Sequence, residues 1–135
     1  MVVRALPDAE LVLTGYLRGH PDVAALVGTR VYTQLPTSPT FPLVQVRRFG
    51  GVPVIDGHLD RASVQIDVWA ASKQQARDTA ATVQAALIAM PSGPLAGAVV
   101  TRVRTETGLS WQPENEGARP RYVLAVEVTL HPLPA

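Results

Sequence analysis

In two stretches of this chain, apolar side chains alternate with the rest one by one, and that alternation narrows the fold more than any other feature. Between residues 61 and 69, Val64, Ile66 and Val68 point one way, and Ser63, Gln65, Asp67 and Trp69 the other. Between 121 and 130, Tyr122, Leu124, Val126, Val128 and Leu130 alternate with Val123, Ala125, Glu127 and Thr129. A period of two is the mark of a strand with one face on a core. Residues 43–49 repeat it, Val44 and Val46 alternating with Gln45 and Arg47, and residues 98–105 form a further strand.

Only one segment carries a long helical period. From Ser72 to Met90 the residues Ala76, Ala80, Val83, Leu87 and Met90 fall in a single stripe. Ser72 followed by Gln75 is a capping box, and Pro91 and Gly93 stop the helix. A shorter helix is expected over residues 8–18, with Asp8 as its cap and Leu13, Tyr16 and Leu17 on one face. Asp22 is expected to cap a brief second turn that Gly28 ends, before a short β run at Val31, Tyr32 and Thr33. Pro36, Pro39 and Pro42 remove ladder donors and make residues 34–42 a loop. Gly50 and Gly51 are expected to break the strand before them, leaving 52–58 as a loop, and residues 106–119 as a polar connection.

These elements add up to an α+β fold: a two-layer, mixed but largely antiparallel sheet, with one long helix and a shorter N-terminal helix packed on one face. A chain of 135 residues fits a single domain, spanning 1–135.

Charge and composition exclude several classes. Twelve basic and eleven acidic residues leave +1, too little for long-range attraction to nucleic acid or an anionic membrane. There is no cysteine, so thiolate chemistry, disulfides and Cys-ligated zinc fall away. No apolar run approaches the ~18 residues that span a bilayer. The expectation is a soluble, unprocessed chain that is intracellular at synthesis.

Candidate chemistry is sparse. Asp56, His58 and Asp60, spaced by two, would share a face on an extended strand and could hold a hard metal ion; the competing reading is a solvated Asp-Gly turn, and no metal site is assigned. His20 and His131 each precede a proline at an element end, without an evident partner. Glu114 and Glu116 lie in the polar connection, a poor setting for acid–base catalysis. There is no phosphate loop, dinucleotide fingerprint or nucleophile elbow. The expectation is a protein that is not an enzyme and carries no cofactor.

More is offered by residues suited to contacts. Trp69 is predicted on the polar sheet face and Trp111 in the late loop, outside the main core, where large aromatics serve as interface anchors. Arg47, Arg102 and Arg104 are placed on the same polar face. The candidate partner and subunit interface is Arg47, Phe49, Arg61, Asp67, Trp69, Arg102, Arg104, Trp111, Glu114 and Arg119.

Taken in order, the sequence resembles a phage tail-completion, or tail terminator, family. The stretch from His20 through Pro21, Val23, Ala24, Ala25, Leu26, Val27, Gly28, Arg30 and Val31 to Tyr32 looks like its opening after the first helix. Pro42 to Val46 is similar to its next strand, Val64 to Ala70 to its strand ending in Val-Trp-Ala, and residues 121–130 to its closing strand. The likeness runs from about Leu11 to His131 and brings no catalytic residues with it. It implies a structural virion protein, assembled in the host cytoplasm and placed at the head-proximal end of the tail. There it would form a ring, usually of six copies, that ends tube polymerisation and receives the head. The implied partners are further copies, the tail-tube protein and a head-side connector or stopper. No membrane and no specific nucleic acid is implied, though the genome would pass through the ring. The alternative is a head-closure or other neck or connector protein; a small metal-dependent enzyme is a remoter rival, and so is a nucleic-acid-binding α+β domain, against which Asp67 and Glu127 beside the arginines of the outer face argue.

Overall fold

The computed structural model describes residues 4–115 and 119–134. Three helices, α1 (Ala9–Gly19), α2 (Pro21–Val27) and α3 (Lys73–Ile88), lie against six strands: β1 (Val31–Tyr32), β2 (Leu43–Ile55), β3 (Leu59–Trp69), β4 (Gly93–Leu95), β5 (Ala98–Trp111) and β6 (Arg121–Pro132). The sheet order is β1-β2-β3-β6-β5-β4, antiparallel throughout except for the β1–β2 pair. This is the α+β layering expected from the sequence.

The helix starts follow the capping chemistry. Asp8 Oδ1 accepts from the N–H groups of Glu10 and Leu11, and Ser72 Oγ accepts from the Gln75 N–H at 3.1 Å. Gln75 reaches one residue past the usual capping-box partner and accepts from the Ala71 N–H. The cap of α2 corrects the sequence reading. It is His20, whose Nδ1 accepts from the Asp22 N–H, with Pro21 in the first turn where its missing donor costs nothing.

The core forms between the helices and one sheet face. Val44, Val46, Val64, Ile66, Val68, Leu124, Val126, Val128 and Leu130 meet Val12, Leu13 and Leu17 of α1 and Ala80, Val83 and Leu87 of α3. The alanines of the α3 stripe let its backbone sit close to the sheet. Tyr16 donates its hydroxyl to the Ala86 carbonyl at 2.6 Å, tying α1 to α3, and burial pushes its phenol above the ordinary value.

Three segments depart from expectation. Gly50 and Gly51 do not end β2. The strand shifts register by a bulge between Arg48 and Gly50 and continues to Ile55, so residues 52–55 are strand and only the tip at 56–58 turns. Gly51 has φ +104°, and a Cβ there would sit 2.1 Å from the Arg61 carbonyl oxygen. The predicted connection after Thr105 begins as strand as well, because β5 runs on to Trp111 through two further register shifts. Finally, β4, which the sequence reading did not contain, folds back on the start of β5.

Candidate functional site

The polar face of the sheet is built by the residues that alternate with the core. Register places Arg61, Thr129 and Arg102 in one row across β3, β6 and β5, and Ser63, Glu127 and Arg104 in the next. Gln65 and Arg47 share a row further along, and Asp67 and Gln45 the one after it.

Two carboxylates organise this surface. Glu127 lies between Arg104 at 3.3 Å and Arg61 at 3.6 Å. Asp67, 2% exposed, lies between Arg47 at 3.4 Å and Arg121 at 3.9 Å and also accepts from Gln65 Nε2 at 2.8 Å. Both acids are shielded beneath side chains that are themselves exposed or part-exposed: the arginines at Glu127 are about half exposed, as is Arg47. Arg102 is exposed beside Arg104. Solvent therefore meets guanidinium groups rather than carboxylates.

Trp69 corrects the expectation of an exposed anchor. It is 3% exposed. Its Nε1 donates to Glu114 Oε2 at 2.9 Å, and the Arg121 guanidinium lies over its ring, 5.7 Å from the centroid. Glu114 is held in turn by Arg119 at 3.6 Å, and the Arg119 guanidinium also stands over the Phe41 ring. Trp111 belongs to β5 rather than to a loop. It packs on Tyr122 with ring centroids 5.5 Å apart, under the ammonium of Lys73. Glu116 lies outside the described residues. Sequence reasoning missed Arg121, although its place two residues before Val123 puts it in the outward set.

The Asp56–His58–Asp60 spacing does not make one face. Asp56 and His58 are exposed at the hairpin tip, whereas Asp60 is 1% exposed. Asp60 binds Arg48 in a two-pronged pair of 2.5 and 2.9 Å on the helix side of the sheet. That hydrogen bond raises the Arg48 pKa above its ordinary value; burial works against it, and the charges of Asp60, Asp8 and Glu10 work with it. Among the described residues no three His, Asp or Glu side chains gather to hold a metal.

Open depressions mark the surface of the described residues. One, of about 440 Å³, is lined by Arg4, His58 and His131 among others. A second borders His20 and Thr82, and a third Ser72 and Asp78. His20 and Ser72 are occupied as helix caps. Among the described residues no helix is long and apolar enough to cross a membrane.

The sheet also has two open edges. β1 covers only Val44 and Gln45 of β2, and β4 covers only residues 98–100 of β5. Beyond those points residues 46–55 and 101–111 have no strand on their outer side among the described residues, although the Arg48 N–H donates to Glu10 Oε2 of α1 at 2.8 Å. Phe49, Val52, Val54 and Ile55 stand exposed along the first edge.

Comparison with known proteins adds three findings. A family model described as tail completion protein gp17 matches residues 11–131. A chain from a structure titled "Virion of native gene transfer agent (GTA) particle" superposes with a TM-score of 0.68 at 19% identity, over 91% of this chain and 94% of that one, a likeness of fold alone. No curated protein sequence matches this chain.

Proposed function

From the fact that this chain belongs to the tail completion protein gp17 family, a family of structural tail proteins, we propose that it forms a ring on the head-proximal end of the finished tail tube. The ring stops tube polymerisation and gives the head-side connector a surface to join.

The observation that carries the ring is the pair of open sheet edges. Exposed strand edges template pairing with other chains, so a folded protein must cover or use them. In this sheet β2 and β5 run in opposite directions, since each step from β2 through β3 and β6 to β5 is antiparallel. Copies related by rotation about an axis near the strand direction keep that sense. The β2 edge of one copy then meets the β5 edge of the next as an antiparallel pair. Apart from Arg48, whose N–H Glu10 holds, the two outer stretches stand at matching heights: Arg47 is level with Thr107 through Gln65, and Val52 with Arg102 through Arg61. A β2–β2 dimer would leave both β5 edges open, whereas a head-to-tail contact uses both edges and closes on itself.

In this arrangement the β2 backbone at Arg47 and Phe49 and the β5 backbone at Arg102 and Arg104 come beside neighbouring copies, and main-chain groups make the contact while the arginine side chains stay on the polar face. The Pro-rich loop at 34–42 and the turn carrying Glu114 and Arg119 beyond Trp111 meet tube or connector. Asp67, Trp69 and Arg61 hold the sheet face in shape behind them.

Disrupting the gene and imaging the particles tests the cap. Overlong or variable tails without heads are expected. Tails of normal length that fail to join heads would overturn the cap in favour of a neck role, and intact infectious particles would overturn the tail reading. Because the chain has no cysteine, Val52→Cys with Arg102→Cys tests the contact. A short bismaleimide is expected to give a ladder of cross-linked copies that ends at the ring size, and monomers alone would refute edge pairing.

A further inference from the structure

The arginine-bearing face of the sheet has a charge and texture that point to a partner beyond neighbouring copies. Its register positions hold Arg47, Arg61, Arg102, Arg104 and Arg121 against Asp67 and Glu127, a surplus of three positive charges on a chain whose total is +1. Glu114, beyond the end of the face, is matched by Arg119, and Glu106 sits at a bulge on the β5 edge. Both acids on the face are already held between two guanidinium groups each. They orient the arginines while being screened from solvent.

The central strands offer no apolar anchor there. Trp69, Val123 and Ala125 are buried, and the other outward positions of β3 and β6, among them Arg61, Ser63, Gln65, Asp67, Arg121 and Glu127, are polar. A protein interface with high affinity needs a buried aromatic or aliphatic cluster at its centre. Sequence-independent contact with a phosphate backbone needs only spaced cations. Arg102 and Arg104 stand about 6.8 Å apart along β5, and Arg61 lies two strands away, about 9.6 Å across. A duplex carries one negative charge per ~1.7 Å of its axis, so several phosphates fall within that patch.

We propose that this sheet face contacts the phosphate backbone of duplex DNA without reading its sequence, and that it faces the lumen when the ring forms. The inference rests on the ring for its setting, because a ring on the tube lies in the path of the genome. A single copy binds weakly, at the ~10⁻⁴–10⁻⁶ M typical of non-specific contacts, and a ring repeats the patch around the duplex.

The test measures fluorescence anisotropy of a labelled 30-base-pair duplex with the full chain at rising salt from 50 mM. Wild type is expected to bind two unrelated duplexes alike. R102Q/R104Q should weaken binding at least ~10-fold at 50 mM and flatten the slope of log affinity against log salt by about 2, one counterion for each lost contact. The charge-matched K73Q/R77Q pair on α3 should leave both unchanged, with circular dichroism confirming that each variant is folded. No binding by wild type at 50 mM, a preference between the duplexes, or equal losses in the two variants would overturn the inference.

Particles carrying R102Q/R104Q separate this inference from the ring itself. Tails of normal length with slowed DNA exit support both. Overlong tails would assign the two arginines to the contact between copies and remove the DNA role while the cap stands. Normal DNA binding with heads left unjoined would put an acidic head-side protein on this face instead.

Discussion

Gly50 and Gly51 are neighbours in β2, yet alanine should be accepted at the first and rejected at the second. At Gly50 a new Cβ meets nothing within 4 Å, and the backbone is not in the left-handed region. G50A should stay within about 0.5 kcal/mol of wild type or gain slightly, because alanine restricts the unfolded chain. At Gly51 two costs combine. The φ of +104° is one that L residues rarely adopt, worth about 1–3 kcal/mol. The added carbon would also lie 2.1 Å from the Arg61 carbonyl oxygen and 2.9 Å from both Ala62 Cα and Ser63 N. All three are backbone atoms of the paired strand, so relief requires moving β3 against β2 by about 1 Å, comparable to overpacking at about 1–3 kcal/mol. The total, about 2–6 kcal/mol, is a large share of the ~5–15 kcal/mol that stabilises a domain. Urea denaturation of the two variants with wild type measures it, and the thermal midpoint of G51A should fall by roughly 10–20 °C. A G51A variant as stable as G50A would refute the bulge geometry and the register it sets.

Other consequences follow from the same contacts. R48Q leaves Asp60 buried without its two-pronged partner; since Arg48 is about a third exposed and partly screened, the loss should be about 2 kcal/mol rather than the larger cost of a fully buried pair. An unchanged urea midpoint would show that Asp60 is solvated. Y16F removes the bond to Ala86 and should cost about 1 kcal/mol at neutral pH. The raised Tyr16 pKa favours the neutral phenol in the fold, so that contribution is present below the ordinary value of 10.0 and is lost as pH rises through the raised one. Wild type should therefore lose stability more steeply than Y16F above pH 10, and equal slopes would dismiss the link. W69F removes the bond to Glu114 and should cost about 1 kcal/mol in urea, yet leave tail length unchanged because the ring is buried in its own chain; altered tail length would place Trp69 in a contact.

Much of the fold was legible because its signals are local. The period of two in residues 61–69 and 121–130 identifies strands that turn one face to a core, and the stripe from Ala76 to Met90 identifies the helix that covers that face. Asp8 and Ser72 cap as expected because a cap needs only a side-chain oxygen within three residues of free N–H groups. The candidate face was partly legible for the same reason, since alternation places Arg47, Arg61 and Arg104 opposite the core.

Alternation names a side of the sheet without saying what lies over it. Trp69 was assigned correctly to the outward set, but its burial depends on Glu114 and Arg121, brought beside it by pairing with β6 and the turn before that strand. Asp60 was one acid in a spaced trio until the register of β2 on β3 set it against Arg48. Gly50 and Gly51 are alike in sequence, and only the partner strand distinguishes a bulge from a break. The two open edges are likewise a property of strand order, which residues far apart in the chain decide together. The sequence by itself determined which residues face inward, because that depends on near neighbours; tertiary structure decided which outward residues are free to meet a partner, because that depends on long-range register.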